Sequence, residues 1–86
     1  MYELILSPDA EKALSKLQRS DRKLFKQIAS AIDQLAGDPF LGKPLVENLK
    51  GFHSYRVRDY RILYEIENKF LRVLILQIQH RKEVYR

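Results

Sequence analysis

The spacing of the apolar residues changes once along this chain, and that change limits what the chain can fold into. Between Leu24 and Leu35 the apolar residues recur every three or four positions, which is the period of an amphipathic helix. Between Tyr60 and Ile66 they recur every second position, which is the period of a strand with one buried face. The sequence therefore predicts a helical part followed by strands.

Local signals place the first elements. Tyr2–Leu6 is rich in strand-favouring residues, and Ser7-Pro8 then supplies a helix N-cap followed by proline at the first helical position. Ser20-Asp21 offers a second N-cap, and Gly37 with Asp38-Pro39 stops the second helix. The prediction is one strand and then an antiparallel pair of helices joined by a short connection.

The second half of the chain predicts a sheet. Residues 38–51 contain two prolines and two glycines and predict an irregular loop. Strands follow from Phe52, with a turn at Asn68-Lys69, and the run from Phe70 to Ile78 is apolar enough for a central strand covered on both faces. The expected fold class is α+β, a single domain over residues 1–86: an N-terminal strand, a two-helix antiparallel hairpin, then a three-stranded antiparallel meander in one sheet.

Charge and composition narrow the function. The net charge is +5, and all of the excess positive charge lies in the C-terminal part of the chain. Residues 1–49 hold seven Lys or Arg and seven Asp or Glu, whereas residues 50–86 hold nine Lys or Arg and four Asp or Glu. This asymmetry indicates either a polyanion partner or a solvated basic face. The chain has no cysteine, which excludes a disulfide framework and a thiolate zinc site. The short apolar run at the N-terminus predicts neither a signal peptide nor a membrane span, so we expect a cytoplasmic protein.

Three arginines, Arg56, Arg58 and Arg61, fall within six residues of the predicted strands. If the alternating apolar residues pack on the helices, these arginines are expected to line the opposite face of the sheet. Like charges on neighbouring strands repel each other, and a bound anion relieves that repulsion. Planar guanidinium groups suit phosphate because they donate two parallel hydrogen bonds.

The C-terminal tail adds three residues that can take part in phosphate chemistry: His80, Arg81 and Tyr85. Histidine can transfer protons near neutral pH, arginine can stabilise a negatively charged transition state, and tyrosine can stack on a base or share in proton transfer. Each also has a structural interpretation, as an exposed imidazole, a solvated guanidinium or a tyrosine packed on the core.

Taken together, these motifs resemble the C-terminal half of the RelE/ParE toxin superfamily. A Leu-x-Gly turn precedes a basic strand, a Tyr-Arg-x-x-Tyr strand follows, and a His-Arg-x-x-x-Tyr element closes the chain. The matching stretches are Leu49–Gly51, Tyr55–Arg58, Tyr60–Tyr64 and His80–Tyr85. The strand and helix hairpin before them agree with the layout of the superfamily.

The resemblance implies a toxin that is held in check by a cognate antitoxin and that cleaves messenger RNA in the ribosomal A site. It implies attack by the ribose 2′-hydroxyl on the adjacent phosphate, without a metal ion or other cofactor. By position it implies Arg56 and Arg58 on the basic strand, Arg61 on the transition-state strand, and Arg81 and Tyr85 on the closing segment. With the other basic and titratable residues added, the predicted site has RNA-binding Lys43, Lys50, Arg56 and Arg58, and catalytic Arg61, Arg81, His80 and Tyr85.

The chain departs from the superfamily at the general base. The basic strand carries Arg56 and Arg58 where RelE toxins often have lysine, and arginine is a poor base. Lys43 precedes Pro44-Leu45 where a YoeB-like branch has glutamate. His80, Tyr85 and Lys43 are left as candidates, with His80 first because its ordinary pKa lies nearest neutrality. Two other functions stay open: a ParE-like inhibitor of DNA gyrase, and an RNA-binding module without catalysis.

Overall fold

A computed structural model describes residues 1–45 and 51–84 of the chain. Its elements, in chain order, are β1 (Glu3–Leu6), α1 (Pro8–Ser20), α2 (Arg22–Gly37), β2 (Lys43–Pro44), β3 (Phe52–Val57), β4 (Tyr60–Glu67), β5 (Arg72–His80) and α3 (Arg81–Val84), with short 3-10 turns at Pro39–Leu41 and Asn68–Phe70.

The two long helices begin where the capping residues predict. The Ser7 hydroxyl accepts a hydrogen bond from the Ala10 N–H at 3.0 Å, and an Asp21 carboxylate oxygen accepts one from the Leu24 N–H at 3.1 Å. A cap of this kind typically stabilises a helix by about 1 kcal/mol, because it satisfies a donor that has no partner within the helix. Within the described chain, no helix is both long enough and apolar enough to cross a membrane.

The strands form one sheet in the order β1-β5-β4-β3-β2, in which β1 runs parallel to β5 and the other neighbours are antiparallel. All of the predicted strands lie in this one sheet, and the structure adds the two-residue strand β2 inside the stretch that was predicted to be an irregular loop. Two residues, one of them proline, carry no alternation that a sequence pattern could reveal. The last strand also begins later than predicted: Phe70 lies outside it and is 58% exposed, and Leu71 turns the chain with a φ of 51°.

The core lies between the helices and one face of the sheet. Alternate residues of the central strands are buried against the apolar sides of the helices. The fully buried side chains of this core include Ile28 and Leu35 of α2, Ile62 and Tyr64 of β4, and Val73 and Ile75 of β5. The other face, hereafter the open face, carries Leu63 and Leu74, which are only half-buried. The prediction that β5 would be covered on both faces was therefore wrong, because both long helices pack against the same side.

Candidate nucleic-acid interface

A row of polar side chains crosses the open face near the end of the sheet. Arg56 of β3 lies directly opposite Arg61 of β4, and Arg61 lies opposite Gln79 of β5. Directly paired residues of antiparallel strands have Cβ atoms about 5 Å apart, so the two guanidinium groups share one patch of surface. Arg61 has no hydrogen-bond or ion-pair partner in residues 1–45 and 51–84.

This row opens into a small pocket, which we call the arginine pocket. It has a volume of about 200 Å³ and is lined by Arg56, Asp59, Tyr60, Arg61 and Arg81. Three guanidinium groups and one carboxylate leave it with an excess of positive charge. The pocket is therefore suited to a phosphate group, to which arginine can donate two parallel hydrogen bonds.

Arg81 is held at the pocket mainly by a backbone hydrogen bond to Asp59 and only weakly by the ion pair between the two side chains. The Arg81 N–H donates to the Asp59 carbonyl oxygen at 2.7 Å. The Arg81 Nη1 atom lies 3.8 Å from Asp59 Oδ1, and these side chains are 63% and 62% exposed. An exposed ion pair at this distance is weak, so an incoming phosphate can take the place of the carboxylate.

The far end of the open face carries the opposite charge. Arg72 of β5 lies between Glu3 of β1 and Glu67 of β4 in the strand register. Its Nε atom lies 3.1 Å from Glu67 Oε1, and its guanidinium group stacks 4.6 Å above the centre of the Phe70 ring. Because Arg72 faces two carboxylates, the excess positive charge on the open face of the described residues lies at the arginine pocket and at the neighbouring Lys43.

Arg58 does not lie on the open face, contrary to the prediction for all three clustered arginines. It sits in the two-residue turn between β3 and β4 with a φ of 56°, a conformation that such hairpin turns require. Its Nη1 atom donates to Gln27 Oε1 of α2 at 3.4 Å, on the helix side of the sheet. The alternation of Val57 and Arg58 concealed this turn, since it contains no glycine or asparagine to mark it.

His80 also lies toward the helix side. It is opposite Tyr60 in the strand register, with its ring edge-on to the Tyr60 ring at 5.1 Å between centres. Its Nδ1 atom accepts a hydrogen bond from the Lys82 N–H at 3.2 Å. A separate pocket of about 290 Å³, lined in part by Arg58, His80 and Asp21, adjoins the arginine pocket across Asp59 and Tyr60.

Lys43 is the remaining predicted residue that the structure describes. It lies on β2 and pairs with Ser54 of β3, which is two residues before Arg56 on the same side of the strand. Residues two apart along a strand are separated by about 7 Å, so exposed Lys43 borders the row that leads into the arginine pocket. Lys50 and Tyr85 lie outside the described residues.

Three features of this surface were missed in the sequence. Gln79 completes the arginine row, and Asp59 lies in the arginine pocket; the first lies just beyond the strand that was predicted to end at Ile78, and the second was not considered as a site residue. A groove of about 530 Å³ between α1 and β5 is lined by Lys12, Lys16 and Arg19. Their spacing of four and three residues puts these cations on one side of α1, a signal that was available but was overlooked.

Comparison with known proteins identifies the family. A model of the ParE toxin of type II toxin-antitoxin system, parDE, matches residues 4–85 of the chain. The chain belongs to the RelE/ParE toxin family. The family that the C-terminal motifs resemble is thereby confirmed.

Individual members of this family are similar over nearly the whole length. Toxin RelG of Mycobacterium tuberculosis is 35% identical over 86 residues, which cover 99% of this chain and 97% of RelG. The toxin-antitoxin complex RelBE2 of the same organism contains a chain with 30% identity and a TM-score of 0.79, covering 93% of this chain and 98% of that one. The isolated Escherichia coli RelE toxin has the same fold, with a TM-score of 0.79 at 20% identity over 99% of this chain and 92% of RelE. The predicted RelE-like α+β fold is therefore confirmed, and the protein is a RelE/YoeB-type toxin of a type II toxin-antitoxin system.

Proposed function

We propose that this toxin is an endoribonuclease that cleaves messenger RNA in the ribosomal A site. The observation that carries the proposal is the arginine pocket, in which Arg56, Arg61 and Arg81 surround a cavity of about 200 Å³ on an otherwise open sheet face. A cavity of this size accepts a phosphate group, while the open face leaves room for the nucleotides on either side. Three cations around one phosphate can stabilise the negative charge that develops during its cleavage.

The reaction that suits this pocket uses the RNA itself as nucleophile. The ribose 2′-oxygen forms a bond to the adjacent phosphorus, the bond from phosphorus to the 5′-oxygen breaks, and a 2′,3′-cyclic phosphate and a 5′-hydroxyl result. One proton leaves the 2′-hydroxyl and one is delivered to the departing 5′-oxygen. Arg61 and Arg81 stabilise the negative charge on the phosphate oxygens, a role that arginine fills without losing its own proton.

We expect His80 to be dispensable for the chemical step. It lies in the neighbouring pocket with Arg58 and Asp21, whereas the arginine pocket lies on the other side of Tyr60. His80→Ala should therefore leave single-turnover cleavage within about threefold of wild type, far from the 100- to 10,000-fold loss expected of an acid-base group. Lys43 and Tyr85 are then the candidates for proton transfer.

Single-turnover cleavage on a ribosome-bound message measures this directly, with Lys43→Ala and Tyr85→Phe in parallel. A hundredfold loss in His80→Ala, with ribosome binding unchanged, would return the proton-transfer role to the histidine.

The second candidate function is inhibition of DNA gyrase, because the family model that matches residues 4–85 carries the ParE description. One experiment separates the two functions: purified toxin is added to translating ribosomes and, separately, to a gyrase supercoiling assay. We expect new message ends within codons and unchanged supercoiling. Loss of supercoiling without message cleavage would support the ParE-like function, and ribosome binding without cleavage would support a non-catalytic RNA-binding module.

The proposed partner that silences the toxin is an acidic segment of a cognate antitoxin. Its carboxylates would occupy the arginine pocket, or its chain would displace α3, which carries Arg81. The ion pair between Arg81 and Asp59 opposes displacement only weakly, because it is long and exposed, whereas the hydrogen bond from the Arg81 N–H to the Asp59 carbonyl oxygen would have to break. A complex in which the arginine pocket stays open and α3 does not move would contradict this placement.

A further inference from the structure

The phenol of Tyr64 makes polar contacts inside the core that the proposed reaction does not use. Tyr64 lies in the middle of β4 and is 0% exposed. Its hydroxyl donates a hydrogen bond to the Pro39 carbonyl oxygen at 2.7 Å and accepts one from the Gly42 N–H at 3.1 Å. Burial raises the pKa of Tyr64 above its ordinary value, so the hydroxyl keeps the proton that it donates. The hydroxyl is thus satisfied both as donor and as acceptor inside the core, as buried polar groups generally are.

Gly42 shows how closely the chain is held against this hydroxyl. A Cβ atom on Gly42 would lie 2.5 Å from the Tyr64 hydroxyl oxygen and 2.6 Å from the Ser54 carbonyl oxygen. The backbone angles of Gly42, φ −80° and ψ 177°, are open to every residue type. Glycine is therefore required here because there is no room for a side chain, and not because of the backbone conformation. The Gly42 peptide lies directly between the Tyr64 hydroxyl and β3.

The strand that follows Gly42 has few attachments of its own. β2 consists only of Lys43 and Pro44, both exposed, so neither side chain anchors it in the core. β2 is joined to β3 by the short pairing of Lys43 with Ser54 and of Pro44 with His53. Pro44 has no N–H to donate, and the Leu45 N–H donates to the Phe52 carbonyl oxygen at 2.8 Å. On the other side of β2, the Tyr64 hydroxyl supplies the fixed point.

We propose that Tyr64 is a positioning residue for Lys43: from the core side of the sheet it fixes the Gly42 peptide, and thereby sets the register that places Lys43 beside the arginine row on the open face. This inference rests on the proposed function, since it gives Lys43 a role at the RNA. Tyr64 touches no substrate and acts only through β2.

The first test is amide hydrogen exchange on Tyr64→Phe, which removes the hydroxyl and keeps the ring. We expect the amides of Gly42, Lys43 and Leu45 to exchange about tenfold faster, because the hydrogen bond that holds Gly42 is lost. The matched control is Tyr2→Phe, which removes a hydroxyl that donates to Asn68 Oδ1 at 2.7 Å, well away from β2. Exchange of the Gly42, Lys43 and Leu45 amides that is equally fast in wild type and Tyr64→Phe would overturn the proposal.

The second test asks whether Tyr64 acts through Lys43. Binding is measured with a short single-stranded 2′-O-methyl RNA, which cannot react because its attacking hydroxyl is blocked. Lys43→Ala should raise the Kd about tenfold, as expected for one lost charge-assisted contact, and Tyr64→Phe should raise it by a similar or smaller factor. In the Lys43→Ala background, Tyr64→Phe should add less than about twofold, since the two changes remove one interaction.

The outcomes separate this inference from the proposed function. Additive losses in the double variant would overturn the role of Tyr64 as a positioning residue for Lys43, because they show that the hydroxyl acts elsewhere. Wild-type protein that binds neither this RNA nor a message on the ribosome would overturn the proposed function, and the exchange experiment would still decide whether Tyr64 fixes β2.

Discussion

Replacing Arg61 by alanine is expected to lower the rate of message cleavage about 30- to 1,000-fold, which corresponds to about 2 to 4 kcal/mol of lost transition-state stabilisation. Arg61 stands in the middle of the row of Arg56, Arg61 and Gln79 and is a lining residue of the arginine pocket. Since its guanidinium group has no partner among the described residues, its removal leaves no buried charge behind. The free energy of unfolding should barely change.

The measurement is single-turnover cleavage on ribosomes, accompanied by thermal unfolding of the free protein. Arg22→Ala is the matched control, because Arg22 is exposed at the start of α2 on the helix side and its loss removes the same charge. Arg61→Lys should recover only part of the rate, since an ammonium group cannot donate two parallel hydrogen bonds. Wild-type cleavage by Arg61→Ala would rule out the arginine pocket as the site of reaction.

Removing all three arginines of the pocket should have the largest effect on RNA affinity. The triple change Arg56→Ala, Arg61→Ala and Arg81→Ala is expected to raise the Kd for single-stranded RNA about 1,000-fold, at about tenfold for each charge-assisted contact. Each neutralised phosphate on a single strand contributes about −0.7 to the slope of log affinity against log salt. The slope should therefore become shallower by about 2.

The structure offers a control with the same loss of charge. Lys12, Lys16 and Arg19 line the groove beside α1, and replacing these three with alanine also removes three positive charges. We expect this variant to lose RNA affinity only through the weaker field of the whole molecule, with a slope close to wild type. If it loses more affinity and more slope than the pocket variant, the RNA binds along α1 rather than across the open face.

The sequence predicted the fold well where the signal is local. The change from helical to strand spacing and the caps at Ser7 and Asp21 placed β1, α1, α2 and the main strands, because each of these signals depends on neighbouring residues only. It failed for β2, which is too short to show a period, and for the turn at Arg58-Asp59, which begins one residue earlier than the alternation of Val57 and Arg58 suggested. That missed turn had a functional consequence, since it transferred Arg58 from the open face to the helix side.

The same distinction between local sequence signals and tertiary structure applies to the candidate site. The motifs by themselves indicated the resemblance to the RelE/ParE toxins that the comparison confirmed, and they predicted arginines as phosphate ligands, because residue type and spacing are properties of the chain. Only the tertiary structure decided which of those residues meet: strand register joins Arg56, Arg61 and Gln79, the hairpin turn brings Asp59 to Arg81, and pairing with Tyr60 directs His80 away. A sequence records the order of residues, whereas a pocket depends on which face each residue occupies, and in a sheet a shift of one residue reverses that face.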